Sequence, residues 1–311
     1  MIISASRRTD IPAFYSRWFF NRLREGYVLV PNPYNPRMVS RVSLKPAWID
    51  CIVFWSKNPA PMIGELDQLG DYKYYFQFTL NPYGREIERK LPSLTERLKI
   101  FKTLSDKIGK ERVIWRYDPI FINEEYSISF HKDAFALIAF ELKDYTDRCT
   151  LEFIDCYSHI RPAIAKFNIH SLEKEVIEDV VSAFQEIASE FAIKLNTCAT
   201  KINLGYLGVS EDACISQSLI EQITGYSISA RKDKNQRLFC NCIESLDIGM
   251  YDSCLNGCVY CYANKKCYDK IRRNGEKHNV NSPLLIGSVS DEDIIKDRNV
   301  RSFRIEQSSL F

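Results

Sequence analysis

Short apolar runs alternate with amphipathic helical segments along most of this 311-residue chain, and that alternation limits its fold more than any other feature. Residues 51–55 (CIVFW), 72–80 (YKYYFQFTL), 112–117 (RVIWRY), 149–155 (CTLEFID) and 194–198 (KLNTC) read as strands. Helical patterns lie between them at 59–69, from Ser93 onward, at 131–143 and at 171–191. The second of these opens with a capping box, Ser93-Leu-Thr-Glu96, and turns Leu94, Leu98, Phe101, Leu104 and Ile108 inward. The N-terminal part adds an apolar run at 2–5, a helix at 13–25 with Phe14, Trp18 and Leu23 on one face, and a hairpin from 27–30 to 38–44 across PNPYNP. A last strand, 243–249 (IESLDIG), precedes a cysteine triplet. Strands separated by helices pair through crossovers, so the expected fold is α/β with a parallel sheet, closed wholly or partly into a barrel.

Such folds carry their chemistry on the loops after the strands. Polar residues gather at those points: Ser6-Arg7-Arg8-Thr9-Asp10, Ser56-Lys57-Asn58, Thr79 with Asn81, Arg116-Tyr117-Asp118, Asp155, and Thr197-Cys198. Each alone fits a helix cap or an ion pair; their joint placement makes them site candidates. The 42 basic and 40 acidic residues leave a net charge of +2, which does not mark the whole surface for nucleic acid. No apolar stretch has the length of a membrane span and the N-terminus has no signal-peptide layout, so a cytoplasmic protein without membrane contact is expected.

Eleven cysteines in a reducing compartment point to metal or redox use rather than a disulfide framework. Cys51, Cys149 and Cys156 lie in or beside apolar runs and read as small buried hydrophobes. Cys254, Cys258 and Cys261 are different. Their C-x3-C-x2-C spacing, with Tyr260 before the third cysteine, places three thiolates on one tight loop. Three thiolates hold three irons of a four-iron cluster and leave the fourth iron open. Gly257 permits the turn between ligands. A zinc site recruiting Cys267, or a four-cysteine cluster closed by Cys267, are the weaker readings. Cys198, Cys214, Cys240 and Cys242 form a second candidate set for an auxiliary iron–sulfur cluster or zinc; unrelated buried thiols explain that set about as well. The histidines at 131, 159, 170 and 278 form no ligand-spaced group.

The triplet resembles the motif of the radical S-adenosylmethionine superfamily. Together SRRTDIPAFY, VFWSKNP, RVIWRYDPI and CNCIESLDIGMYDSCLNGCVYCYAN resemble a bacterial family of unknown function related to radical proteins of the spore photoproduct lyase type, over nearly residues 1–265. Segment 77–120, with Thr79, Arg85-Glu86-Ile87-Glu88 and Arg116-Tyr117-Asp118-Pro119, looks like the middle of that DNA-repair group. The resemblance implies a radical-type barrel, a [4Fe-4S] cluster, S-adenosylmethionine as cofactor and a flavodoxin- or ferredoxin-type electron donor. In that superfamily the triplet follows the first strand. Here it lies near the C-terminus, which implies a circularly permuted barrel closing beside IISA. The resemblance then makes Ser6, Thr9, Asn58, Thr79 and Tyr260 cofactor-binding candidates. Arg7, Arg8, Lys57 and Arg116 become candidates for phosphate or carboxylate binding, and Asp10 and Asp118 for orienting polar groups. Tyr117 and Tyr157 are candidate radical relays, with packing as the plainer role.

Residues 1–265 are thus expected to form one barrel domain with its cluster loop at 254–261. Residues 266–311 are expected to form a polar, partly disordered tail. Its end, Gln307-Ser-Ser-Leu310-Phe311, resembles the peptide with which bacterial repair proteins dock on the replication sliding clamp. The leading functional expectation is a radical enzyme generating a 5′-deoxyadenosyl radical on a nucleic-acid or nucleotide substrate such as damaged DNA. A radical enzyme acting on a peptide or metabolite is the second expectation. A non-catalytic binding protein stabilised by zinc or iron–sulfur is the third.

Overall fold

The computed structural model describes residues 1–305, so the candidate clamp peptide Gln307–Phe311 lies outside the described residues. Ten strands form two sheets: β1 Ile2–Ala5, β2 Tyr27–Pro31, β3 Met38–Ser43, β4 Cys51–Ser56, β5 Tyr74–Thr79, β6 Val113–Ile120, β7 Arg148–Phe153, β8 Lys194–Thr197, β9 Leu246–Asp247 and β10 Ile294–Asp297. Seven of them make one parallel sheet in the order β8-β7-β6-β5-β4-β1-β9. Among the described residues no ladder joins β8 to β9, so the sheet is open rather than a closed barrel. The strand before the cysteine triplet does pair with β1, as its expected position required, but only over Leu246 and Asp247. The β2–β3 hairpin forms, in a separate sheet completed by β10.

Alternation along the strands divides the main sheet into two faces. One face presents Ile3, Ile52, Phe54, Phe76, Phe78 and Trp115 to the helices Ser16–Glu25, Leu94–Ile108, Ile128–Leu142 and Lys174–Glu190. The layer is locked by aromatic stacking: Phe54 on Phe76 at 4.7 Å, Trp115 on Phe135 at 4.7 Å, and Phe135 on Phe184 at 4.0 Å. The Ser93–Glu96 capping box forms, satisfying two amides at the start of its helix. The helix expected over 59–69 breaks into two short turns, Ala60–Ile63 and Leu66–Leu69, around Gly64 and Glu65.

On the other face, Ile2, Cys51, Val53, Tyr75 and Ile114 are covered by Ile215, Leu219, Ile220, Ile228 and Ile243. The covering segment between β8 and β9 has little regular structure beyond the helix Gln217–Thr224. Nearer the carboxyl edge this face turns polar. Thr79, Arg116, Thr150 and Asn196 stand in register across β5 to β8, all buried.

The tail expectation fails for the described part of 266–311. Residues 268–275 are helical, and β10 pairs with β3. The Trp18 indole N–H donates to the Ser282 carbonyl at 2.8 Å, and the Phe303 amide donates to Asp50 at 2.8 Å. The segment also buries Ile271, Leu284, Leu285 and Ile286, which are too few to stand out from its polar composition. No helix among the described residues is long and apolar enough to cross a membrane.

Candidate metal centre

The loop carrying Cys254, Cys258 and Cys261 leaves β9 at the carboxyl edge of the sheet, beside the loop that follows β1. Asp247, the last residue of β9, joins them. Its carboxylate accepts from the Ser4 hydroxyl at 3.0 Å, the Ser6 hydroxyl at 2.6 Å, the Arg7 amide at 2.8 Å and the Gly249 amide at 2.9 Å. Gly249 allows the approach: a Cβ there would lie 2.0 Å from the Ser6 Oγ. Asp10 ties in two more loops. It accepts from the Ala13 amide at 3.0 Å, capping the short helix Ile11–Phe14, and from the Ser56 hydroxyl at 2.7 Å and the Lys57 amide at 2.9 Å after β4. It also accepts from the Asn256 amide group at 3.0 Å, between Cys254 and Cys258. Burial raises the Asp10 carboxyl above its usual range, against the pull of these donors.

Glu88 holds the loop from the other side. It forms an isolated bridge with Cys258, and the Val259 amide donates to the Ile87 carbonyl at 3.0 Å. The Glu88 carboxylate is 1% exposed and accepts from Lys57 and from Arg97, both at 2.9 Å, and from the Tyr260 hydroxyl. Burial opposes its ionisation, and the charges of Lys57 and Arg97 outweigh burial, holding the carboxyl below its usual range. The Tyr15 hydroxyl completes the frame by donating to the Ser253 carbonyl at 2.6 Å.

Inside this frame Cys254 is buried and Cys258 and Cys261 are half-buried. Burial pushes all three thiols up, so their ionisation needs a cation. Gly257 takes the left-handed conformation, φ 68°, that the expected turn requires. The three sulfurs are not all within 4.8 Å of one another, so they do not form a close single-ion group. Cys267 is exposed at the start of the helix Tyr268–Gly275 and is not a member of any close ligand group among the described residues.

The second cysteine set converges more tightly. Cys198, Cys240 and Cys242 place their sulfurs within 4.8 Å of one another, as do Cys198, Cys214 and a Glu152 oxygen. Cys198 lies 3.8 Å from Cys240 and 3.9 Å from Cys242, sulfur to sulfur. Arg116 donates to the Cys214 sulfur at 2.7 Å and pairs with Asp118 at 2.8 Å and Glu152 at 3.3 Å. Burial, with the neighbouring charge of Asp118, lifts Glu152 to about 7.

Several candidates are already engaged within the protein. Lys57 is held by Glu88 and Tyr260, each at 2.9 Å, rather than free for a phosphate. Tyr260 is buried with its hydroxyl in that network, not presented to a cofactor. Arg7 donates to the Ser245 hydroxyl at 2.8 Å and stacks over Trp55; Arg116 stacks over the same indole. Arg8 stacks over Tyr251, 3.9 Å from Asp247. The Asn58 amide donates to Ser56, Thr79 is buried in the polar row, and Thr9 has a buried hydroxyl with no partner. Tyr117 lies in the helix-side core, where it donates to His131 at 2.7 Å, so packing is its role; Tyr157 is partly exposed near Tyr262. Sequence reasoning missed Asp247, Asn256, Arg97 and Glu152. Asp247 left one signal, a carboxylate inside the apolar run IESLDIG.

An open parallel α/β sheet with cysteine groups able to hold metal at its carboxyl edge defines the class of protein. The chain belongs to the family described as a domain of unknown function (DUF1848), which it matches over residues 2–263. No curated protein matches it. Among solved structures, it is similar to a candidate alpha-L-fucosidase from Bacteroides thetaiotaomicron VPI-5482, with 10% identity, 75% of this chain and 86% of that chain covered, and a TM-score of 0.28. That score is too low to bear on fold or function.

Proposed function

We propose that this protein is a radical S-adenosylmethionine enzyme whose [4Fe-4S] cluster is held by Cys254, Cys258 and Cys261. The reading rests above all on the position of the triplet loop. It stands at the carboxyl edge beside the β1 loop, with three cysteines on one loop held by the Asp10–Asn256 and Glu88–Cys258 contacts. A strand before the triplet that pairs with β1 fits a circularly permuted partial barrel of the radical type.

When bound, the cluster supplies one electron to the sulfonium of S-adenosylmethionine, delivered from a flavodoxin- or ferredoxin-type donor. The chain's own residues hold the geometry. Asp10 and Asn256 fix the triplet loop to the loops after β1 and β4. Glu88, Lys57 and Tyr260 form a buried polar wall beside Cys258 and exclude water from it. The loop of Ser6, Arg7, Arg8 and Thr9 is held beside the triplet loop through Asp247. A nucleic-acid or nucleotide substrate is supported by the family resemblance alone, because Lys57, Arg7 and Arg116 are spent on internal contacts.

Anaerobic purification followed by iron and sulfide analysis and electron paramagnetic resonance tests this reading. The reduced protein gives a cluster signal that shifts when S-adenosylmethionine is added, and Cys258→Ala loses it. A loaded cluster whose signal ignores S-adenosylmethionine sinks the reading. The tight convergence of the other cysteines favours one further reading, a metal-stabilised binding protein without catalysis. Zinc without iron in the same preparation supports that alternative.

A further inference from the structure

Cys198, Cys214, Cys240 and Cys242 take no part in the radical chemistry, yet the fold brings Cys198 against Cys240 and Cys242 on one side and against Cys214 on the other. Cys198 follows β8, Cys214 precedes the helix Gln217–Thr224, and Cys240 and Cys242 lie just before β9. All four are buried. Their spacing separates the available chemistries. A disulfide joins sulfurs at about 2.0 Å, far inside the 3.8 and 3.9 Å found here. A four-iron cube spreads its thiolates wider, since each binds a different iron. A single ion bound at about 2.3 Å to four sulfurs in a tetrahedron separates them by about 1.6 bond lengths, roughly 3.8 Å. The Cys198–Cys240 and Cys198–Cys242 separations meet that value, while Cys214 groups with Cys198 and Glu152 and stands slightly outside the close trio.

Two donors surround the sulfurs in the manner of a thiolate site. The Ile215 amide donates to Cys242 at 3.3 Å, and the Arg116 guanidinium to Cys214 at 2.7 Å. Arg116 is buried and always cationic, so it offsets part of the negative charge that metal-bound thiolates bring. The surrounding segment has little regular secondary structure of its own. Residues 199–243 cover one face of the sheet with Ile215, Leu219, Ile220 and Ile228, but contain only the eight-residue α-helix Gln217–Thr224, one 3-10 turn at Gly205–Leu207 and no strand. The four cysteines fall at its start, middle and end.

We propose that Cys198, Cys240 and Cys242, with neighbouring Cys214 drawn in as the fourth ligand, bind one zinc-type divalent cation in a tetrahedral all-thiolate site, which fastens residues 199–243 across the sheet and fixes Arg116 in the polar row. The site is independent of the triplet and stands whether or not the triplet carries a radical-type cluster.

Metal analysis of protein purified anaerobically with zinc in the medium tests it, using wild type, Cys258→Ala and Cys240→Ser. About one zinc per chain is expected in wild type and in Cys258→Ala, and its loss in Cys240→Ser. Should Cys240→Ser fail to fold, cobalt(II) exchanged into wild type provides the second measurement. Thiolate-to-cobalt charge-transfer bands with tetrahedral ligand-field bands are expected. Mercurial release of the metal is then expected to speed protease cleavage within 199–243. Iron and sulfide that persist in Cys258→Ala but vanish in Cys240→Ser overturn the proposal in favour of a polynuclear cluster. Native protein free of zinc whose four thiols stay unmetallated on zinc or cobalt addition overturns it in favour of plain buried thiols.

Discussion

Replacing Glu88 by alanine removes the acceptor at the centre of the best-buried charge network and leaves Lys57 and Arg97 without their partner. Arg97 is 1% exposed and cannot regain water without opening the core. Two charge-assisted contacts at 2.9 Å are lost. At about 1.5–3 kcal/mol for each hydrogen bond to a charged group, the loss is about 3–6 kcal/mol. Breaking one side of a buried ion pair gives about 3–5 kcal/mol by a separate route. For 311 residues, with an unfolding entropy of about 2.1 cal/mol/K per residue, a loss of about 4 kcal/mol lowers the melting temperature by about 6 °C. Glu88→Gln keeps part of the hydrogen bonding and loses less. Because the Glu88 carboxyl sits below 4.5 in the folded protein, its charge stabilises fully above that pH and is lost as pH falls through the folded value. The difference between wild type and Glu88→Gln therefore shrinks in acid. Urea unfolding with a common m-value, run near pH 7 and again in acid, reads both effects. A Glu88→Ala loss below about 1 kcal/mol, in a fold shown intact by circular dichroism, refutes the view that this network anchors the triplet loop.

Three other predictions test separate parts of the structure. Gly249→Ala places a methyl 2.0 Å from the Ser6 Oγ and costs about 1–3 kcal/mol by overpacking; its metal content falls with its stability, and an unchanged unfolding midpoint contradicts the close packing of the two loops. His131 is buried, accepts from Tyr117, donates to the Phe121 carbonyl and titrates near 4 instead of 6.5, chiefly through burial. Its unfolded form binds more protons between those values, so stability falls as pH drops from about 6.5 towards 4 by up to about 3 kcal/mol. A His131→Gln variant flattens that part of the pH profile, and an equally steep profile assigns the effect elsewhere. Deleting Gln307–Phe311 abolishes binding to the bacterial sliding clamp without changing metal content; undiminished binding removes the tail from that role.

The strand and helix order was legible because buried parallel strands leave long apolar runs and because the Ser93–Glu96 capping box marks its helix directly. The cysteine triplet was legible for the same kind of reason: ligand spacing is local. What escaped is non-local. Asp247 matters through partners as distant as Ser4, and Asp10, a candidate by sequence, through the unforeseen Asn256; no window of sequence contains both ends of such a contact. Lys57 looked like a free cation because its carboxylate partner, Glu88, comes from another loop; Arg116 pairs with Asp118 of its own motif and also with Glu152 from the next strand, which sequence did not show. The tail was misjudged because strand addition by β10 uses backbone hydrogen bonds, which composition does not reveal.

Reductive cleavage of S-adenosylmethionine is the most direct test of the central claim. Anaerobic protein with a reconstituted cluster, reduced with dithionite or a flavodoxin system, is incubated with S-adenosylmethionine and assayed for 5′-deoxyadenosine by chromatography. The account predicts 5′-deoxyadenosine from wild type and none above background from Cys258→Ala. A fully loaded wild-type cluster that yields none with either reductant contradicts it.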